Sequence, residues 1–251
     1  MVNEKIIVKS VENLQPNIYL LKAEAPIIAS QIKPSQFCNI KVSESYFPLL
    51  RRPFSVCDVE GDHIYFMFDV HGVGTKILSE KKSGDILEVL GPLGNGFNLN
   101  KKFTRAIILA GGLGVAPFPL LTKSLSDKDI HTFIGARNKG YVVEYGLKNI
   151  KAATDDGSYG FHGNVVQLIE TEKKNVINDT TIIFACGPTP MLKAVQKFAM
   201  ENNIEAQIST ECAMACGFGI CQGCPVHSSE EDKYFLVCKD GPVFTAGEIE
   251  L

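Results

Sequence analysis

The sequence has no long hydrophobic run and little net charge, and both absences narrow what the chain can do. No apolar stretch reaches the roughly 20 residues that a membrane-spanning helix needs. The segment Met1–Ser10 alternates charged and apolar residues and lacks the apolar core of a secretory signal. We therefore expect a cytoplasmic protein without membrane insertion. A formal net charge of −3 over 251 residues gives no electrostatic basis for binding nucleic acid.

Several catalytic and structural signatures are also missing. The sequence shows no paired carboxylates or nucleophile–base dyad that would indicate hydrolysis, and no obvious site for an organic substrate. It has no internal repeat, no low-complexity linker and no G-x-G-x-x-G motif. Its length suits one large domain, or two modest ones and a small module. We predict the second arrangement, with boundaries at 1–99, 100–209 and 210–251.

Cysteine is plentiful near the C-terminus, and its spacing is the most informative feature of the chain. Cys216, Cys221, Cys224 and Cys238 form the pattern C-x4-C-x2-C followed by thirteen residues and a last cysteine. This is the ligand spacing of a plant-type [2Fe-2S] cluster, which passes single electrons. The glycines between these ligands allow a tight loop that aims backbone N–H groups at sulfur.

Other interpretations of the cysteines stay open at this stage. A structural zinc site usually has two short paired spacings, whereas only one is present here. A disulfide framework is rare in the reducing cytosol. Cys212 lies four residues before Cys216 and could compete as a ligand, but we leave it out because Met214 and Ala215 indicate a packed turn. The remaining cysteines lie in apolar runs and are interpreted as small buried hydrophobes, namely Cys38, Cys57 and Cys186.

The first hundred residues predict a small antiparallel β-barrel with one helix. Short β-rich runs are separated by turn residues, as in barrels of this kind. The predicted strands are Glu4–Val8, Asn17–Lys22, Gln36–Val42, Phe54–Val59, His63–Val70 and Asp85–Leu90. Gly72–Lys82 is the predicted helix, opened by Gly74 and Thr75.

Two segments of this barrel indicate phosphate binding. In Arg51-Arg52-Pro53-Phe54-Ser55, Arg52 could fork onto a phosphate while Ser55 donates a hydrogen bond at the same face. The second segment runs from Met67 through a Gly-rich turn into a helix N-terminus, where exposed N–H groups attract phosphate. Either signal alone is weak, but together they suggest a phosphate-bearing cofactor such as a flavin nucleotide.

Beyond Asn100 the pattern alternates strand and helix, as in a Rossmann-like parallel-sheet nucleotide domain. Arg105–Ala110 and Thr181–Ala185 are short apolar runs of the kind buried in a parallel sheet, and both end in glycine turns. Because ligands bind beyond the carboxyl ends of such strands, these turns favour a nucleotide site. Thr189 is the predicted N-cap of the helix that follows, and Arg137 could touch an adenosine ribose or its phosphate.

Taken in order, these motifs resemble the ferredoxin–NADP reductase superfamily over essentially the whole chain. The motifs that carry the resemblance are Arg52–Ser55, Gly91–Phe97, Gly111–Gly114, Cys186–Met191 and the terminal cysteines. The endings Met214–Cys221 and Cys238–Phe244 look most like the electron-transfer subunits of NAD-dependent, two-subunit dihydroorotate dehydrogenases.

The resemblance implies roles for particular residues. It implies that FAD is held by Arg52, Pro53, Phe54 and Ser55, that Met67, Phe68 and Asp69 line the isoalloxazine, and that Gly74 and Thr75 meet the pyrophosphate. On the nicotinamide side it implies Gly111, Gly112, Gly114, Cys186, Gly187 and Pro188, and for the [2Fe-2S] cluster the four spaced cysteines. The implied cofactors are thus FAD, a [2Fe-2S] cluster and NAD.

The same resemblance implies a partner and a pathway. The partner is an FMN-containing catalytic subunit that oxidises dihydroorotate in pyrimidine biosynthesis, within a heterotetramer. We further expect Phe218 and Ile220 to form an apolar rim covered by that partner, unless both pack inward. Alternative functions are a reductase subunit of a ferredoxin–NADP transhydrogenase or a sulfur-reducing enzyme, or a zinc-binding interaction module on a degenerate reductase fold.

Overall fold

The computed structural model describes residues 1–230 and 232–251. Its N-terminal part is a closed six-stranded antiparallel barrel with the strand order β1-β2-β5-β4-β3-β6. The strands are β1 Val2–Gln15, β2 Ile18–Glu24, β3 Phe37–Lys41, β4 Arg52–Glu60, β5 His63–Asp69 and β6 Ile86–Leu93, with the short helices α1 Pro26–Ala29 and α2 Val73–Ser79. All six predicted strands are therefore present, and the predicted helix is shorter than Gly72–Lys82.

Strand β5 is buried on both of its faces, and this decides which of its side chains reach a ligand. Ile64, Phe66 and Phe68 point into the barrel core, as alternation along a strand requires. Tyr65 and Met67 point outward and join a second core that the barrel shares with the following domain. The two domains consequently pack as one unit along this strand.

The middle of the chain forms a sheet with the strand order β10-β9-β8-β7-β11-β12-β15, in which only the β12–β15 pair is antiparallel. The strands are β7 Arg105–Gly111, β8 Asp129–Ala136, β9 Ile150–Thr154, β10 Phe161–His162, β11 Thr181–Cys186, β12 Glu205–Ser209 and β15 Val243–Thr245. The chain order reverses between β7 and β11. In an open parallel sheet, such a switch point leaves a crevice beyond the carboxyl ends of the strands.

Helices cover both faces of this sheet. They are α3 Phe118–Ser124, α4 Val165–Val176 and α5 Thr189–Glu201, with 3-10 turns at Gly112–Val115 and Lys139–Tyr141. Helix α3 packs on the face toward the barrel, whereas α4 and α5 pack on the other. Helix α4 begins with a capping box. The Asn164 side chain accepts hydrogen bonds from the N–H groups of Val166 and Gln167, and the Gln167 side chain accepts one from the Asn164 N–H.

The predicted N-cap of α5 is wrong by one residue. The helix begins at Thr189, and Pro188 is the N-cap because its carbonyl accepts the first helical hydrogen bond from the Leu192 N–H at 3.0 Å. Pro190 is therefore the second helical residue. A proline fits there because the first N–H groups of a helix have no partner within it.

The C-terminal part is a small module fastened to both domains. It contains the hairpin of β13 Pro225–His227 and β14 Tyr234–Leu236, and it ends by adding β15 to the edge of the large sheet. On the barrel side, the Asn95 side chain donates to the carbonyls of Lys239 and Asp240 at 3.0 and 2.9 Å. The predicted fold class is thus confirmed. Within the described residues, no helix is both long enough and apolar enough to cross a bilayer.

Candidate functional site

The four predicted ligand cysteines lie together in two pairs. The Cys224 and Cys238 sulfurs are 3.2 Å apart and buried, and the Cys221 N–H lies 3.5 Å from the Cys216 sulfur. In a [2Fe-2S] cluster each of the two irons takes two cysteines, so paired thiols suit that group. Across residues 1–230 and 232–251, no three His, Cys, Asp or Glu side chains converge as a single metal ion requires. Four thiols arranged as two pairs are a donor set that fits a two-iron cluster.

Backbone N–H groups of the loop point at these sulfurs. Gly219 N–H donates to the Cys238 sulfur at 3.1 Å, and Cys238 N–H to the Cys224 sulfur at 3.5 Å. Burial would raise the pKa of the Cys216 thiol, but the N–H groups of Cys221, Phe218 and Ile220 outweigh it and lower that pKa to about 6. The loop thus favours the thiolate at Cys216, whereas burial, and then the neighbouring Cys224, raise the pKa of the Cys238 thiol to about 12.

Asn39 of the barrel supports the cysteine loop, although no sequence pattern indicated this role. Its side-chain amide donates to the Cys216 carbonyl at 3.0 Å. Gly217 lies against the same amide in a left-handed conformation with φ +81°, and a Cβ there would come within 2.1 Å of Asn39 Nδ2. Only glycine tolerates both the backbone angle and the close approach.

We expect Gly217→Ala to lose cluster iron, because the added methyl group displaces the loop from Asn39. Gly247→Ala is the matched control, since Gly247 has a similar φ of +90° but nothing within 4 Å of a Cβ. Backbone strain alone costs about 1–2 kcal/mol in both variants. Iron and acid-labile sulfide per chain measure the difference. Equal iron content in the two variants would show that the contact with Asn39 does not hold the loop.

A cleft beside the cysteine loop is lined by six of the nine predicted flavin residues, and Arg52, Phe68 and Gly74 are not among its lining. Pro53, Phe54 and Ser55 form one wall, with Met67 and Asp69 beside them. The facing wall is the segment 209–214, in which Cys212 and Met214 also pack against the core around Cys224 and Cys238. Cys212 and Met214, together with Phe37, therefore lie between this cleft and the thiols.

Arg52 lies directly on the start of α2. A Cβ at Gly74 would come within 2.9 Å of Arg52 Nε, so the guanidinium rests on the glycine backbone. Its Nη1 donates to the Leu50 carbonyl. The Thr75 hydroxyl lines the cleft and accepts from the His71 N–H at 3.2 Å. A guanidinium beside free N–H groups at a helix start gives an anion several donors.

Phe68 is an exception among the residues predicted to line the isoalloxazine. Its ring points into the barrel and stacks on Tyr19, with centroids 5.9 Å apart. Its neighbours Met67 and Asp69 point into the cleft. The prediction is therefore wrong for the Phe68 side chain, since successive residues of a strand face opposite sides.

A second cleft opens at the switch point of the sheet. Gly111 and Gly112 line it where β7 ends, Pro188 where β11 ends, and Arg137 lies after β8. Gly114, Gly187 and Pro188 line an adjoining recess. Side chains at two of the glycines would collide with their surroundings: a Cβ at Gly114 would lie 2.4 Å from the Cys186 carbonyl oxygen, and one at Gly111 would lie 2.5 Å from Met191 Sδ. Gly111 and Gly114 therefore permit close packing of the two turns, whereas Gly112, with nothing within 4 Å of a Cβ, leaves its backbone open toward the cleft.

Cys186 does not present its thiol to either cleft. The side chain is buried in the core between the domains, where desolvation, and then Glu211, raise the pKa of its thiol well above the usual value. Only its backbone reaches the glycine turn. The interpretation of Cys186 as a small buried hydrophobe is therefore confirmed, while its implied place on the nicotinamide side is limited to its backbone beside the glycine turn.

The two clefts share lining residues, and Glu211 lies between the first cleft and the recess. Leu113 lines both clefts and the recess, and Asp69 lines both clefts. Glu211 lines the first cleft and the recess. Its carboxyl keeps contact with solvent, yet desolvation by the surrounding walls, and then the Asp69 carboxylate, raise its pKa. Sequence reasoning missed Glu211, which belongs to no motif that we recognised.

The apolar residues next to the cluster ligands face outward. Ile220 is 75% exposed and Phe218 is 37% exposed. The alternative that both pack inward is therefore wrong for Ile220. Cys221, one of the four predicted ligands, is exposed as well. The thiol site thus reaches the molecular surface at one side and the first cleft at the other.

Known proteins similar to this chain agree with this geometry. A family model for the iron-sulfur cluster binding domain of dihydroorotate dehydrogenase B matches residues 211–250. The dihydroorotate dehydrogenase B (NAD(+)) electron transfer subunit of Caldanaerobacter subterraneus subsp. tengcongensis is 40% identical over 220 residues, which cover 86% of each chain. The subunit of the same name from Geobacillus sp. strain WCH70 is 37% identical and covers 100% of both chains.

The chain belongs to the family of these electron transfer subunits. Membership shows that it is an electron-transfer oxidoreductase subunit. The cysteine loop lies within the matched iron-sulfur domain, and both clefts lie within the length shared with the family.

Solved structures support the same family fold. The NADH-dependent reduced ferredoxin-NADP oxidoreductase has a chain with a TM-score of 0.86 and 27% identity, over 100% of this chain and 90% of that one. A ferredoxin NADP+ reductase from Neisseria gonorrhoeae, solved with FAD and NADP, has a TM-score of 0.66 over 79% of this chain. Its identity of 15% shows the shared fold alone.

Proposed function

We propose that this chain passes electrons between the FMN of a dihydroorotate dehydrogenase catalytic subunit and NAD, through its own [2Fe-2S] cluster and FAD. One observation carries the proposal: the thiol site, the first cleft and the second cleft are consecutive neighbours. Cys212 and Met214 adjoin both the thiols and the first cleft, and Leu113 lines both clefts. A cluster at the thiol site, a flavin in the first cleft and a nicotinamide nucleotide in the second cleft would therefore be consecutive electron carriers.

The first cleft is proposed to hold FAD. Arg52, Gly74 and Thr75 offer a cation, backbone N–H groups and a hydroxyl for its phosphates. Ser55 and Met67 line the region where the ring system would pack. Apolar walls with a few polar groups are typical of cofactor sites.

The second cleft is proposed to hold NAD. Its glycine turns, at Gly111–Gly114 and at Gly187, leave backbone open to a pyrophosphate. Arg137 lies at the far wall with Asp155, where an adenosine ribose would fit. The Asp155 carboxylate suits a ribose hydroxyl better than a phosphate, which favours NAD over NADP. The names of the related electron transfer subunits also specify NAD(+).

The proposed cluster ligands are Cys216, Cys221, Cys224 and Cys238. NAD takes two electrons as a hydride, a [2Fe-2S] cluster takes one, and a flavin exchanges either number. The residues of this chain bind these groups and place them in sequence. Cys212 and Met214, which lie between the first cleft and the thiols, exclude water there.

The organic substrate belongs to a partner in this proposal. The relatives are named as subunits of dihydroorotate dehydrogenase B, so we propose a heterotetramer with an FMN catalytic subunit, acting in cytoplasmic pyrimidine biosynthesis. The chain alone is then an NAD-linked reductase that does not oxidise dihydroorotate.

A second function has one observation in its favour. The NADH-dependent ferredoxin-NADP oxidoreductase chain is 27% identical over the whole of this chain, so a subunit of such a transhydrogenase is the alternative. The 36–40% identity to dihydroorotate dehydrogenase B subunits favours the first function.

An absorption spectrum and metal analysis of the purified full chain test the proposal. The expected result is a brown protein with one FAD, two iron atoms and two sulfides per chain, whose flavin is bleached by NADH under anaerobic conditions. A colourless protein containing zinc, or bleaching by NADPH but not by NADH, would contradict it.

The two cleft assignments are separable by mutation. Removing a charge-assisted hydrogen bond typically costs about 1.5–3 kcal/mol, or about tenfold to a hundredfold in affinity. We therefore expect Arg52→Ala to purify poor in FAD but folded, with its cluster intact. Arg137→Ala should keep FAD but bind NADH more weakly. Cofactor content after gel filtration and the KM for NADH measure the two effects; full FAD in Arg52→Ala would contradict the first assignment.

A further inference from the structure

A loop of the barrel, residues 43–50, carries four exposed apolar side chains. Tyr46 is 95% exposed, Leu49 77%, Phe47 69% and Leu50 50%. Single exposed apolar residues are ordinary, but several in one short loop form a patch that water solvates poorly. We name the segment 43–50, with these four side chains, the apolar loop. Two ion pairs lie beside it, Lys41 with Glu44 and Arg51 with Glu88.

The apolar loop begins next to the cysteine loop. Asn39, which holds the Cys216 carbonyl, is only four residues before the loop starts. At the other end of the loop, Arg51 Nη1 donates to the Asn39 carbonyl at 3.4 Å and to the Glu88 carbonyl at 2.9 Å. Both ends of the apolar loop are thus tied to the strand on which the cysteine loop rests.

The exposed rim of the cluster is too small to hold a partner by itself. Within the cysteine loop, Phe218 and Ile220 are the exposed large apolar side chains. A stable interface usually covers about 800 Å² on each partner, with aromatic residues enriched at its centre. The apolar loop, whose two ends are tied to the strand that holds the cysteine loop, offers further apolar area that includes a tyrosine and a phenylalanine.

We infer that the apolar loop and the cluster rim form one docking surface for the FMN catalytic subunit. The occupant follows from the position: the partner that exchanges electrons with the cluster must cover the side where Cys221 reaches the surface. A partner seated there meets the apolar loop as the adjoining apolar surface. This inference rests on the proposed function, because it takes the catalytic subunit as the electron donor.

The test compares two variants of the full chain with their cofactors bound. Tyr46→Ser/Leu49→Ser removes two exposed apolar side chains of the apolar loop. Met200→Ser is the matched control, because Met200 is 65% exposed on α5, in a different domain. Each protein is titrated with the purified FMN catalytic subunit by isothermal calorimetry. Iron, FAD and NADH-linked dye reduction are measured on each protein alone.

The double variant is expected to keep its cofactors and its dye reduction but to bind the catalytic subunit about thirty- to hundredfold more weakly, as loss of hot-spot residues does. Met200→Ser should bind like the wild type. Equal binding by the double variant and the wild type would overturn the docking surface while leaving the proposed function intact. A wild-type chain that does not bind the catalytic subunit at all would overturn both. A double variant that only loses self-association, with unchanged binding of the catalytic subunit, would assign the loop to a second copy of this chain and overturn the inference.

Discussion

The Cys221→Ser variant should purify without its [2Fe-2S] cluster, while remaining folded and retaining FAD. Serine cannot supply the thiolate that the iron prefers, and Cys221 lies on the exposed loop where the core does not hold the cluster in place. Loss of iron, sulfide and visible absorbance beyond that of the flavin would report this outcome. NADH should still bleach the flavin, because the two clefts do not depend on Cys221.

Cys212→Ser is the matched control for this prediction and should keep the cluster. Cys212 lies in the wall of the first cleft, where burial, and then the neighbouring Cys224, raise the pKa of its thiol to about 12. It packs beside Cys224 without belonging to either thiol pair. If Cys212→Ser loses its iron and Cys221→Ser does not, the ligand assignment is wrong.

The second large effect is an all-or-none gain of activity on assembly. Alone, the chain should reduce one-electron dyes with NADH and show no oxidation of dihydroorotate, because its described clefts are assigned to FAD and NAD. Co-expression with an FMN dihydroorotate dehydrogenase chain should give a stable complex in which dihydroorotate reduces NAD. The measurement is NADH formation at 340 nm after addition of dihydroorotate.

Two outcomes would count against this second prediction. One is dihydroorotate oxidation by the isolated chain. The other is a complex that forms and oxidises dihydroorotate with dyes but never reduces NAD. The catalytic subunit alone, assayed with a dye, serves as the control that the partner is active.

Much of the fold could be predicted from local sequence patterns. The six barrel strands follow from alternating apolar residues between turn residues, and the cluster loop from cysteine spacing alone. Both are short-range signals. The addition of β15 to the large sheet is different, since Val243–Thr245 pairs with residues nearly forty positions earlier and three residues carry too little pattern to show it.

The parts of the site that could not be predicted depend on side-chain direction and on contacts between domains. Phe68 and Cys186 lie within the predicted motifs, yet their side chains point into cores. Asn39 matters because Gly217 packs against it. Glu211 matters because it lines both the first cleft and the recess. Neither residue has a spacing pattern that could indicate its role.

The most direct test of the account is whether NADH reduces the cluster through the flavin. The purified chain, frozen after anaerobic addition of NADH, should give the electron paramagnetic resonance signal of a reduced [2Fe-2S] cluster. Arg52→Ala, depleted of FAD with its cluster intact, should give no such signal until FAD is restored. A cluster that stays oxidised in the wild type, or one that NADH reduces equally well in the FAD-depleted variant, would contradict an in-line path from the second cleft through the first to the cysteines.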